Sequence, residues 1–82
     1  MNAVTDPRID LLRAFEEHCF QVAHYLLGNE KDAAAASENA LIELFRSHAF
    51  AGGSEEERKR LAKEAAIRSA LKQAGRRQSA VQ

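Results

Sequence analysis

Apolar residues recur every three or four positions along most of this chain, which is the spacing of amphipathic helices rather than of strands. The first such stretch predicts a helix over residues 7–27. Asp6 is its expected N-cap, Pro7 suits its first turn and Gly28 suits its end. Its apolar face holds Leu12, Phe15, Cys19, Val22, Ala23 and Leu26. This face is expected to form one wall of a hydrophobic core.

A second helix is predicted over residues 30–50, with Asn29 as its cap. Its larger apolar strip holds Ala33, Ser37, Ala40, Leu41, Leu44, Phe45 and His48. Its smaller strip holds Ala35, Ile42 and Ala49. Two strips indicate contact with two other helices. The alanine run at 33–36 favours close helix packing.

A third helix is predicted over residues 55–74, because Ser54 and Glu57 have the spacing of a capping box and Gly75 can end a helix. Its apolar arc is assigned to Leu61, Ala65, Ile67 and Leu71. The opposite side, which is small and basic, holds Arg58, Lys59, Ala62, Lys63, Ala66 and Ala70. No stretch alternates as a strand does. We therefore predict one compact, all-α, three-helix domain over residues 1–77, followed by a flexible tail at 78–82.

Charge is divided between the two parts of the chain, although the 82 residues have a net charge of zero. Up to residue 57 there are four Lys or Arg against eleven Asp or Glu, and from Arg58 onward eight against one. Such asymmetry indicates that the two parts attract each other or face different partners. No apolar run reaches the roughly 18 residues of a membrane span. Together with a single cysteine, this predicts a cytoplasmic protein without a disulfide.

Side chains that carry chemistry do not form a recognisable catalytic or metal-binding pattern. His18 and His24 lie about 120° apart on their helix, so they cannot share one ion from one face. His48 falls on an apolar strip, where a core histidine is the simpler explanation. Cys19 falls in the apolar stripe and is interpreted as an inert core thiol. We expect no enzyme activity, no catalytic residues, no metal and no cofactor.

Lys and Arg residues of the third helix form the kind of cluster that binds nucleic acid, since each phosphate contact releases counterions. A solvated helix face accounts for the same residues, and the segment has no aromatic side chain for stacking on bases. Composition leaves these two interpretations open.

Two motifs in the first two helices resemble region 2 of bacterial extracytoplasmic function sigma factors. The first helix shares Phe15, Val22, Ala23, Leu26, Leu27 and Gly28 with the family pattern. The second shares Asp32, Ala33, Ala36, Leu44 and Arg46, with Leu41, Ile42 and Phe45 as similar apolar residues. The third helix matches only at Leu61, Ala65, Arg76 and Arg77. The resemblance extends from about residue 10 to residue 77.

The resemblance implies a transcription initiation module that binds core RNA polymerase and promoter -10 DNA. Its second helix would dock on the clamp helices of the polymerase β′ subunit. The polymerase-facing candidates are Asp32, Glu43 and Arg46. Its third helix, with the preceding loop, would open and read the promoter. The DNA-facing candidates are Arg58, Lys59, Arg60, Lys63, Arg68, Lys72, Arg76 and Arg77.

Departures from the family pattern keep a second hypothesis open. Arg60 stands at the usual Trp position, and no -35 reading domain follows within the 82 residues. The first hypothesis therefore includes a second sigma-like subunit or an anti-sigma protein as a partner. The alternative is a non-enzymatic interaction or dimerisation domain that keeps the sigma fold without binding DNA. In such a homodimer, the basic helix of one copy would face the acidic surface of the other.

Overall fold

The computed structural model describes the backbone of residues 7–81, and the side chains of residues 7–76, as five helices without a strand. The helices are α1 Pro7–Arg13, α2 Glu16–Leu27, α3 Glu30–Phe45, α4 His48–Gly52 and α5 Glu55–Val81. The all-α prediction is confirmed for these residues. Two of the three predicted helices are each divided into a long helix and a short one. The predicted N-cap, Asp6, lies outside the described residues.

The first division falls at Phe15, between α1 and α2. Its backbone has φ −113° and ψ 2°, and its N–H donates to the carbonyl of Leu12 at 2.9 Å. This turn places the Phe15 ring in the core, where it meets the Phe50 ring edge to face at 5.5 Å between centroids. Because α1 and α2 are joined by a turn, the apolar stripe of the predicted long helix wraps around the core.

The second division falls between α3 and α4. The N–H of Arg46 is shared between the carbonyls of Ile42 and Glu43, each at 3.2 Å, which ends α3. The hydroxyl of Ser47 then accepts the N–H of Phe50 at 3.1 Å and caps α4. The short α4 brings Phe50 back to the core, where only 2% of it is exposed. This turn also leaves His48 exposed at the start of α4, so its predicted place on an apolar helix face is wrong.

Three long helices, α2, α3 and α5, pack against one another around a core built mostly of alanine. The buried alanines are Ala23, Ala33, Ala36, Ala40, Ala62, Ala65, Ala66 and Ala70. Two larger residues, Phe50 and Leu44, fill the end of the core beside α4. Small side chains let helix axes approach closely, so the prediction of close packing for the alanine run at 33–36 is confirmed at Ala33 and Ala36.

The core-facing side of α5 differs from the predicted one. Ala62, Ala66 and Ala70, which were assigned to the basic outer side, are buried. Leu71, which was assigned to the core, is 63% exposed, and Ile67 is only half-buried. The reason is steric: α5 lies against α2 and the alanine-rich α3, and the centre of that contact admits methyl groups rather than branched side chains.

Gly75 lies within α5 and does not end it, since the helix continues to Val81. Gly28, by contrast, ends α2 in the left-handed conformation with φ 76°, and its N–H donates to the carbonyl of His24. Among the described residues, only Gly28 has a positive φ. The prediction that a glycine ends the helix is therefore confirmed for Gly28 and wrong for Gly75.

Cys19 is fully buried between α2 and α5, with its thiol 3.8 Å from the carbonyl of Ala62. Burial raises the pKa of the Cys19 thiol to about 11, because a thiolate would lose its hydration there. The thiol stays protonated at neutral pH, in agreement with its interpretation as an inert core residue.

A bilayer could not be crossed by any helix in the described part of the chain.

Candidate nucleic-acid interface

Cationic side chains line a cleft between α3 and α5. Arg68, Lys72 and Arg76 repeat every fourth residue of α5 and therefore share one side of that helix, and Arg46 stands at the end of α3. The cleft has a volume of about 320 Å³. Its lining residues are Asn39, Ile42, Glu43, Arg46, Ser69, Lys72, Gln73 and Arg76. We call Arg46, Arg68, Lys72 and Arg76 the cationic stripe.

An ion pair closes one side of the cleft. The guanidinium of Arg68 donates to the carboxylate of Glu43, and both side chains are about half exposed. Glu43 and Arg46 were candidates for polymerase, whereas Arg68 and Lys72 were candidates for DNA. The structure brings all four to one cleft, since α3 packs on the stripe side of α5.

Asp32, the third polymerase candidate, is engaged within the fold. Its carboxylate accepts from the side-chain amide of Asn29 at 2.7 Å and from that of Gln73 at 3.1 Å. Its backbone N–H donates to the side-chain oxygen of Asn29 at 2.8 Å, which confirms Asn29 as the cap of α3. These bonds join the start of α3 to α5, so the half-buried Asp32 has a structural role.

Arg58 also has its donors directed into the protein. Its Nε donates to the carbonyl of Phe50 and its Nη2 to the carbonyl of Ala51, both at 2.9 Å. These carbonyls belong to the last turn of the short helix α4, where the Phe50 carbonyl has only a long bond of 3.4 Å from the Gly53 N–H. Arg58 therefore joins α4 to the first turn of α5.

Removing these two bonds by Arg58→Ala is expected to lower the free energy of unfolding by about 2–3 kcal/mol, since two carbonyls lose charge-assisted partners. Urea denaturation followed by circular dichroism measures the change. The matched control is Lys59→Ala, because Lys59 is exposed and next in sequence; it should stay within about 0.5 kcal/mol of the wild type. Equal stability of Arg58→Ala and the wild type would contradict this role.

The remaining predicted DNA-facing residues do not belong to the stripe. Lys63 lies about 180° around α5 from Lys72, and Lys59 about 140°. Arg60 forms an i,i+4 ion pair with Glu64 at 3.5 Å on an exposed face. The side chain of Arg77 lies outside the described residues. The eight predicted residues therefore do not form one surface.

Sequence patterns did not reveal a second concave surface, which lies on the other side of α3. It consists of two adjoining hollows of about 500 and 540 Å³ that share Glu38 and Leu41. Its apolar members are Leu12, Phe20, Ala34, Leu41, Ile42 and Phe45. Its acidic members are Glu16, Glu17 and Glu38, and Ser37 and Arg46 complete it. We call this surface the acidic groove.

The position of the acidic groove depends on the division between α1 and α2. Phe20 comes from α2 and Leu12 from α1, and each packs beside α3. The guanidinium of Arg8 lies 4.3 Å from the centre of the Phe45 ring at the same side of the domain. Of the smaller apolar strip only Ile42 lines this groove, whereas Ser37, Leu41 and Phe45 come from the larger strip. The two predicted strips therefore did not indicate this surface.

In the described part of the chain, no three His, Cys, Asp or Glu side chains come together as a metal site would require. No protein-family model, curated protein or solved structure matches this chain. The two surfaces of α3 are therefore the observations on which function can be argued.

Proposed function

We propose that this domain is a sigma factor region 2-like module of transcription initiation, which binds core RNA polymerase and promoter -10 DNA with help from another domain or partner. The cationic stripe carries the proposal. From Arg68 to Arg76 it extends about 12 Å along α5, at 1.5 Å per residue. A cationic surface of that length can contact successive phosphates of one nucleic-acid strand.

The acidic groove supports the polymerase part of the proposal. The resemblance assigns polymerase binding to the helix that became α3, and a groove with apolar walls and acidic edges suits a basic amphipathic helix. Arg46 lines both the cleft and the groove. DNA and polymerase would thus bind on opposite sides of α3, with Arg46 between them.

Capture of core RNA polymerase by the immobilised domain tests this proposal. Glu38→Lys reverses a charge that both hollows of the groove share, and it is expected to reduce capture about tenfold. Glu55→Lys makes the same change in charge at an exposed position in the first turn of α5 and should leave capture unchanged. Failure of the wild-type domain to capture core polymerase would contradict the polymerase part.

Binding of a single-stranded -10 sequence, measured by fluorescence anisotropy, tests the DNA part. Three phosphate contacts predict a slope of about −2 for the logarithm of the binding constant against the logarithm of salt concentration. An absence of binding at low salt would contradict this part.

Exposed apolar residues favour one alternative function, a dimerisation domain. Leu71 on the outer side of α5 is 63% exposed, and Lys63 and Arg60 lie on the exposed part of the same helix. This combination of apolar and basic groups complements the acidic groove of a second copy. Sedimentation equilibrium distinguishes the alternatives, because such a dimer dissociates as salt is raised and forms without DNA affinity.

A further inference from the structure

Two serines of this domain are buried, and they differ in whether the hydroxyl has a hydrogen-bond partner. Ser37 of α3 is 8% exposed, and its hydroxyl donates to the carbonyl of Ala34 at 3.3 Å. Ser69 of α5 is 7% exposed, and its hydroxyl has no hydrogen-bond partner among the residues that the structure describes. A serine within a helix commonly satisfies its hydroxyl on a carbonyl of the preceding turn, as Ser37 does. Ser69 therefore needs a separate explanation.

Ser69 lines the cleft between α3 and α5. A buried hydroxyl without a partner destabilises the folded protein, and a ligand in the cleft would supply the partner that Ser69 lacks. Three of the other lining residues, Arg46, Lys72 and Arg76, carry positive charge. A hydroxyl donor with three cations is a set of groups that suits an oxyanion.

The carboxylate of Glu43 also lines the cleft, but it does not prevent the binding of an oxyanion there. It accepts from Arg68, so its charge is balanced by a guanidinium that is not itself a lining residue. The charges left without an ion-pair partner among the lining residues are the cations Arg46, Lys72 and Arg76. The cleft is therefore electropositive.

We propose that the α3–α5 cleft binds a single phosphate group, with the Ser69 hydroxyl donating to one phosphate oxygen and Arg46, Lys72 and Arg76 balancing its charge. The cleft volume of about 320 Å³ is at the lower end of the range for small-molecule sites. The phosphate has two sources: the backbone of a DNA strand or a free phosphorylated metabolite. Only the first source rests on the proposed function.

Thermal unfolding in inorganic phosphate, compared with sodium chloride at equal ionic strength, tests the site. Phosphate is expected to raise the melting temperature of the wild type and of Ser37→Ala, but not that of Ser69→Ala. Without phosphate, Ser69→Ala is expected to melt about 5 °C above the wild type, because it removes an unsatisfied hydroxyl. A serine with only a structural role would give the opposite shift. The proposal is overturned if Ser69→Ala retains the phosphate effect or if chloride reproduces it.

The affinity of the domain for inorganic phosphate provides a second test of the site. Titration of the wild type with inorganic phosphate, followed by NMR, should give a dissociation constant about tenfold lower than that of Ser69→Ala, since one hydrogen bond to a charged group is lost. Ser37→Ala is the matched control, as it removes a serine hydroxyl of similar burial that already has a partner. Equal affinities of Ser69→Ala and Ser37→Ala would overturn the proposal.

Competition identifies the source of the phosphate. If inorganic phosphate displaces a labelled single-stranded DNA at constant ionic strength, the site holds a backbone phosphate. If phosphate binds while the DNA stays bound, the site holds a free phosphorylated metabolite. If phosphate binds and the domain has no DNA affinity, the site stands and the DNA part of the proposed function fails. If DNA binds, and Ser69→Ala weakens neither DNA binding nor phosphate binding, the proposed phosphate site is wrong and the DNA part of the proposed function stands.

Discussion

Replacing both Lys72 and Arg76 by glutamate is expected to weaken binding of single-stranded -10 DNA by about 100-fold at low salt. Each replacement removes an attraction of roughly 1 kcal/mol in water and adds a weaker repulsion, so each costs about 1.4 kcal/mol, a factor of ten. The magnitude of the slope against salt should fall by about 1.4, because two of the three phosphate contacts are lost at about 0.7 each. Fluorescence anisotropy over a series of salt concentrations measures both quantities.

The control for this variant is Lys59→Glu with Lys63→Glu, which changes the net charge of the domain equally. These lysines are exposed, and they lie about 140° and 180° around α5 from Lys72. At every salt concentration of the series their replacement should reduce affinity less than replacement of Lys72 and Arg76 does, and at 0.15 M salt, where screening is strong, by less than about threefold. Equal losses in the two double variants would show that binding follows net charge and not the cationic stripe.

Phe50→Ala is expected to lower the free energy of unfolding by about 3–5 kcal/mol. Phe50 is 2% exposed, and its ring packs on the Phe15 ring. A domain of this size is stabilised by roughly 4–12 kcal/mol, so this loss removes a large part of the total. Urea denaturation followed by circular dichroism measures it.

Tyr25→Ala is the control for Phe50→Ala, because Tyr25 is also aromatic but is 88% exposed. Its replacement should change the free energy of unfolding by no more than about 0.5 kcal/mol. A loss below about 1 kcal/mol in Phe50→Ala would mean that the end of the core beside α4 contributes little to stability.

Features that depend on neighbouring residues could be predicted from sequence. Asn29 caps α3, and Gly28 ends α2 in the left-handed conformation. The Ser54 and Glu57 capping box is formed, with bonds of 2.9 and 3.2 Å. In each case the partner lies within four residues, so local geometry determines the bond. The all-α class followed from the same local periodicity.

The candidate site was predicted only in part. Lys72, Arg76 and Arg46 were candidates from sequence, but they were assigned to two different partners. Ser69 was not a candidate, because its isolation from hydrogen-bond partners depends on the packing of α3 against α5. Arg58 was a DNA candidate because of its charge, and its bonds to α4 became apparent only when the chain turned back at Ser47.

The sequence by itself determined the helical periodicity, the caps and the charge asymmetry, since each of these depends on residue type and short spacing. Tertiary structure decided where Phe15 and Ser47 interrupt the predicted helices, because burial of Phe15 and Phe50 requires the chain to turn. It also decided which side of α5 faces inward. Helix periodicity favoured Leu71, whereas close packing on α2 and the alanine-rich α3 selected Ala62, Ala66 and Ala70. That choice turns Arg68, Lys72 and Arg76 toward α3 and forms the cleft.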